Sequence, residues 1–156
     1  MLMRKATRED SGLILRWRND PKARKFSRNS AIITEKEHGA WLNAYFSENL
    51  NKTQILIFEN ENEPVGMIRF DEISPKSHEI SIIVDPKYRG QHLGIILIEM
   101  SIRFLLDNLT VDEVHAIVHK ENSASLKTFI SCGFLILDEK AEFVTLYKSF
   151  KAPINT

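Results

Sequence analysis

The sequence is nearly without cysteine: its 156 residues hold one, Cys132. That excludes an intramolecular disulfide and fits a reducing compartment. Beside Gly133, Cys132 reads as a packing residue rather than a nucleophile. Charge of one sign is lacking too, since 21 Lys+Arg stand against 21 Asp+Glu. No global field therefore argues for nucleic acid or an acidic membrane as partner. No apolar run reaches the length of a membrane span, and the polar N-terminus is not that of a secretory signal. We expect a cytoplasmic protein with no membrane and no nucleic-acid partner. Repeats, linkers and low-complexity tracts are absent, and the length suits one domain with a real core. We assign residues 1–150 to that domain and 151–156 to a polar tail. Neither G-x-x-x-x-G-K-[ST] nor G-x-G-x-x-G occurs, and no metal-ligand set is read.

What is present centres on one stretch. Glu79 to Val84 is a short, β-branched apolar run, read as a strand. Asp85-Pro86 ends it, because proline removes a ladder donor and restricts the residue before it. Arg89-Gly90-Gln91-His92-Leu93-Gly94 forms a loop, and Ile95 to Leu106 is long enough and rich enough in helix formers to be a helix. Such a loop aims backbone N–H groups outward at the positive end of a helix dipole. That is an anion site, suited to a pyrophosphate.

Around this stretch the chain reads in order. Leu2 to Ala6 is a strand, and Thr7 caps a helix carrying Leu13, Ile14 and Trp17. Pro21 closes that helix or opens a further turn. Thr34 and Glu37 form a capping box for a helix with His38, Trp41, Leu42 and Tyr45 on one face. Gln54 to Glu59 and Val65 to Phe70 make a hairpin across the polar turn Asn60 to Glu63, and Ser74 to Ser77 turns into the central strand. Glu113 to Val118 follows a helical crossover, so it runs parallel to that strand. Asn122 to Ser131 is a helix ended by Gly133, with strands Phe134 to Leu137 and Glu142 to Tyr147 after it.

Two motifs carry a resemblance. Arg89 through Gly94 resembles the acetyl-CoA loop [QR]-x-x-G-x-[GA] of the GNAT N-acetyltransferase superfamily, with His92 at the usual glycine. Histidine tolerates left-handed backbone better than most residues, so the loop can keep its shape. Asn122 through Phe134 resembles the superfamily's second signature, N-x-x-[AS]-x-x-x-[YF]-x-x-x-G-F. The two lie in the family's order and spacing. The resemblance implies a GNAT fold of α/β (α+β) class: a single mixed, mostly antiparallel sheet with a splayed parallel pair, flanked by about four helices. It implies acetyl-CoA as acyl donor, bound by Ile82, Ile83 and Val84 on the strand, by Arg89, Gly90, Gln91, His92, Leu93, Gly94 and Ile95 on the loop, and by Asn122, Ser125 and Phe129.

Acetyl transfer to an amine needs a polarised carbonyl, a neutral amine and an acceptable leaving thiolate. Glu79 matches a strand-start glutamate that serves as base in parts of the superfamily; an exposed strand-end charge is the other reading. His38 is the second candidate base, because imidazole titrates near neutrality, and a core histidine is its other reading. The thiolate acid is commonly a tyrosine at the position of Phe129, which has no proton to give. Asn122 and Ser125 read equally well as helix caps.

The N-terminal third bears on the acceptor. Trp17-Arg18-Asn19, Arg24, Asn29, His38 and Trp41 resemble the N-acetyltransferases that act on the 4-amino group of UDP-linked amino sugars in bacterial pseudaminic and related nonulosonic acid synthesis. Trp41 could serve as aromatic platform, with Arg18 and Arg24 on the diphosphate. The ribosomal-protein N-terminal acetyltransferases share the Trp-x-Asn element. Acetylation of a protein N-terminus or other small amine is the second reading, and a non-catalytic acyl-CoA-binding module the third. The oligomeric state stays open, a homodimer among the options.

Overall fold

The structure is a computed structural model that describes residues 1–48 and 51–151. Seven strands form one sheet: β1 (Leu2–Lys5), β2 (Thr53–Asn60), β3 (Glu63–Ser74), β4 (Ser77–Val84), β5 (Glu113–His119), β6 (Leu135–Glu139) and β7 (Phe143–Ser149), in spatial order β1-β2-β3-β4-β5-β7-β6. Among the described residues five α-helices flank it: α1 (Ser11–Arg18), α2 (Pro21–Lys25), α3 (Glu35–Ser47), α4 (Leu93–Asn108) and α5 (Ser123–Ser131). Every neighbouring pair is antiparallel except β4 and β5. The class and the order of the elements along the chain are those expected; boundaries differ by one to two residues at α4, β4, β6 and β7, and β3 runs four residues past its expected end. The expected tail lies almost wholly outside the described residues.

The N-terminal helix differs in detail. Thr7 opens a one-turn 3-10 helix, Arg8–Asp10, and α1 begins after it. The Asp10 carboxylate takes the Thr7 N–H at 2.7 Å and two Arg4 nitrogens at 2.8 Å. The acid therefore folds back on β1 instead of capping α1. Pro21 starts α2, where its fixed φ costs nothing, behind the cap Asp20.

The turns follow their residues. Glu61 and Asn62 both have positive φ, 52° and 68°, the pairing a two-residue hairpin loop needs. At β3–β4, Pro75 precedes Lys76 at φ 68°.

The sheet has a core on each face. Leu56, Phe58, Ile68, Phe70 and Ile80 pack under Leu97, Ile98, Leu105 and Phe129 of α4 and α5. Ile55, Ile57 and Met67 pack under Ile14, Trp17, Leu42 and Tyr45 of α1 and α3. Consecutive β2 residues thus serve opposite cores, as the two-residue period requires. The second core includes nothing from β5 or β7. Its face therefore ends at β4.

Candidate active site

The parallel pair opens into a fork. β4 and β5 pair only through Ser77 with Glu113, His78 with Val114 and Glu79 with His115. Beyond Glu79 and His115 each strand runs on without the other, and the Ile80-to-Val84 edge faces a gap. Ile82 and Val84 pack on the α4 core and Ile83 on the opposite core. Their backbone is what can meet a ligand in the gap.

The loop from Arg89 delivers α4 to the mouth of this fork. His92 sits at φ 58° as the residue before the helix, and its side chain does not cap the first turn. The N–H groups of Leu93, Gly94 and Ile95 thus lack intrahelical acceptors and sit at the positive end of a 16-residue helix. These residues fit a diphosphate. Gly90, at φ 79°, and the exposed Gln91 lie beside them. A Cβ on Gly94 would come 2.9 Å from Thr128 Cγ2, so this glycine lets α4 and α5 approach.

Other residues assigned to the donor have partners of their own. The Arg89 guanidinium donates to Asp20 at 2.6 Å, tying the loop to the start of α2. Asn122 caps α5 by accepting the Ser125 N–H at 3.2 Å, as its alternative reading had it. Phe129 is 1% exposed and meets Phe134 edge-on, with ring centroids 5.1 Å apart. It is a core residue, and a hydroxyl there would need a buried partner.

On the α1–α3 face, alternation brings a polar row across four strands. Asp71, Glu79, His115 and Tyr147 are successive register partners on β3, β4, β5 and β7. Glu79 is mostly buried, and its carboxylate accepts from Arg28 at 2.7 Å. It stands two residues inside β4 rather than at the strand's start, at the point where β5 parts from β4, and as half of an ion pair.

His38 is revised more strongly. It is 2% exposed, with Nδ1 3.1 Å from Arg18 Nη1 and Nε2 2.9 Å from the Ser11 carbonyl. The guanidinium can only donate, so Nδ1 accepts and Nε2–H donates. Burial, then the Arg18 charge, hold the imidazole below its usual pKa, against the Ser11 bond, which raises it. Both nitrogens are committed, which removes His38 from the candidate bases and makes it the support of Arg18.

Arg18 itself is half-buried, lies 4.2 Å over the Trp41 ring and has no carboxylate partner among the described residues. Its pKa is lowered by burial and by Arg69, which lies 5.7 Å from the same ring. Trp41 is thus flanked by two guanidiniums. The other N-terminal candidates build the walls. Trp17 is 0% exposed and donates its indole N–H to Asp85 at 2.7 Å. Asn19 clasps Ile33, accepting its N–H and donating to its carbonyl, each at 2.8 Å. Arg24 donates its Nε–H to the Ser30 carbonyl at 3.1 Å, which braces the loop after α2.

Arg69 and His115 were not picked out from the sequence. Each is a charged or titratable residue at the solvent-side phase of a strand whose alternate positions are core, and that phase was the available signal.

Comparison with known proteins decides the family. The acetyltransferase (GNAT) domain family matches residues 1–135. The chain belongs to the GNAT acetyltransferases. The acetyltransferase PseH of Campylobacter jejuni is 33% identical over 131 residues, 84% of this chain and 80% of that protein. Among solved structures, a Vibrio cholerae spermidine N-acetyltransferase in complex with CoA and spermine superposes with TM-score 0.85 at 17% identity, covering 95% of this chain and 94% of that one. Campylobacter jejuni PseH in complex with acetyl coenzyme A superposes with TM-score 0.74 at 22% identity, covering 96% of this chain and all of the other. As a GNAT enzyme the chain is an N-acetyltransferase that uses acetyl-CoA, which supplies the activated acetyl thioester. Among the described residues no helix is long and apolar enough to cross a membrane.

Proposed function

We propose that the acceptor is a nucleotide-linked amino sugar of the UDP-4-amino-sugar type. The observation that carries this is the Arg18–Trp41–Arg69 group. It offers an indole face for a base or sugar, and an unpaired half-buried guanidinium for phosphate oxygens. A guanidinium held by His38 loses little freedom on binding, so its charge-assisted hydrogen bonds come at reduced entropic cost. The likeness of the N-terminal third to UDP-amino-sugar acetyltransferases supports the same reading.

Electrostatics weighs against a polyamine. Two acids, Asp71 and Glu79, face the cleft, but Arg69 neutralises the first at 2.8 Å and Arg28 the second at 2.7 Å. A free trication would find those carboxylates already paired.

The test is an acceptor panel with acetyl-CoA, following release of the free thiol. It contains a UDP-4-amino sugar, the same sugar without the nucleotide, spermidine and a ribosomal-protein N-terminal peptide. The expected result is the highest kcat/KM for the nucleotide sugar. Faster turnover of spermidine or of the peptide would overturn the assignment.

A further inference from the structure

The fork holds a titratable group that the acceptor reading does not use. His115 and Glu79 are the last in-register partners before β4 and β5 part, and both project to the face left open beyond β4. His115 Nε2 lies 2.9 Å from Glu113 Oε2. A carboxylate can only accept, so the neutral ring carries its proton on Nε2 and its lone pair on Nδ1. Nδ1 makes no hydrogen bond among the described residues. The side chain is 20% exposed, within reach of a bound solute.

The groups around it are few. Glu79 faces it from β4, with Arg28 on that carboxylate at 2.7 Å. Glu113 is two residues before it on its own strand. Tyr147 faces it from β7, with ring centroids 6.4 Å apart. Asp71 lies one strand beyond Glu79. Of the titratable groups in this row, Asp71 and Glu79 are ion-paired. A proton placed on Glu79 would break its bond to Arg28. His115 combines a free basic nitrogen, a carboxylate that fixes its tautomer and a position at the fork.

We propose that His115 Nδ1 accepts the proton that the acceptor ammonium must lose, while Glu79, held by Arg28, orients the amine. The freed nitrogen lone pair forms the C–N bond to the thioester carbonyl carbon. The C–S bond breaks, and its electron pair leaves with sulfur as thiolate. The second proton on nitrogen passes to that thiolate, and His115 returns its own to water. The inference rests on acetyl transfer to an amine, whatever the amine's class.

The test compares kcat and kcat/KM across the neutral pH range for wild type, His115→Gln and Glu113→Gln. It uses the acceptor that the panel identifies, so a different acceptor class changes the substrate assayed and not the comparison. His115→Gln is expected to lose about a hundredfold in kcat and the acidic limb of the profile, with the acetyl-CoA KM unchanged. Glu113→Gln is expected to lower kcat less than His115→Gln, because it leaves Nδ1 in place and changes only the group that holds the ring's other nitrogen. Nitrogen NMR of the ring, which needs no acceptor, should show an Nε2–H tautomer in wild type and a mixture in Glu113→Gln. Wild-type kcat with an unmoved limb in folded His115→Gln would overturn the proposal. So would an Nδ1–H tautomer in the wild-type protein.

Discussion

Arg18 and His38 form a matched pair: the imidazole accepts from the guanidinium at 3.1 Å while its other nitrogen donates to Ser11. Glutamine can reproduce both bonds, since it has one acceptor and one donor end. His38→Gln should therefore leave kcat and acceptor KM within about threefold of wild type, whereas His38→Ala should raise acceptor KM by about tenfold, the loss of one charged hydrogen bond. Steady-state kinetics on both variants checks this. A proton-transfer role would show as a large kcat loss in both.

Arg18 should act on the nucleotide and not on the amine. Losing its hydrogen bonds to phosphate oxygens is expected to cost about 1.5–3 kcal/mol, or about tenfold to more than a hundredfold in KM for the UDP-sugar. Arg18→Ala should leave acetyl-CoA KM and the poor turnover of the unlinked sugar unchanged. Comparing the two sugars in one variant isolates the effect.

Gly94 and Thr128 should be energetically coupled. Alanine at position 94 raises helix propensity but drives its Cβ to 2.9 Å from Thr128 Cγ2. Thr128→Ser removes that methyl and can keep the hydroxyl's 2.8 Å bond to the Ala124 carbonyl. Gly94→Ala alone should lower Tm. In the Thr128→Ser background it should be neutral or stabilising, a coupling of about 0.5–3 kcal/mol. Thermal unfolding of the four proteins measures it.

Stability should fall on the acid side of neutrality. Burial holds both His38 and His78 below their usual pKa, opposed at His38 by the Ser11 bond and at His78 by Glu72 and Asp71. His78 is 5% exposed and its Nδ1 has no hydrogen-bond partner among the described residues. The unfolded chain therefore binds protons more readily than the folded one. The stabilisation is complete above the unfolded value of about 6.5 and is lost as pH falls through the folded values. His78→Leu should flatten this acid limb in a plot of Tm against pH; an unchanged slope would clear His78 of the effect.

Much of this was legible in the residues because periodicity encodes faces. The short apolar runs of β2 and β4, the Thr34–Glu37 cap and the left-handed His92 all follow from local rules. What periodicity does not encode is who meets whom across the sheet. Nothing local says that β4 and β5 pair over only three positions, yet that length puts Glu79 and His115 at the fork. Asn19, Trp17 and Arg24 looked like binding residues because their chemistry suits ligands. Their partners, Ile33, Asp85 and Ser30, come from distant or irregular segments that no pattern announces. Phe129 lay on a recognisable motif, but its burial against Phe134 depends on how α5 settles on the sheet.

The bond between Arg89 and Asp20 links the candidate donor loop to the chain segment that carries Arg28. Asp20 caps α2, and α2 leads into the segment that places Arg28 on Glu79. Whatever ligand draws Arg89 toward or away from Asp20 changes the standing of that segment, and thermodynamic reciprocity then requires the effect in both directions. Acetyl-CoA should alter the affinity for the acceptor by the same factor by which the acceptor alters the affinity for acetyl-CoA, and Asp20→Asn should bring that factor toward one in paired binding titrations.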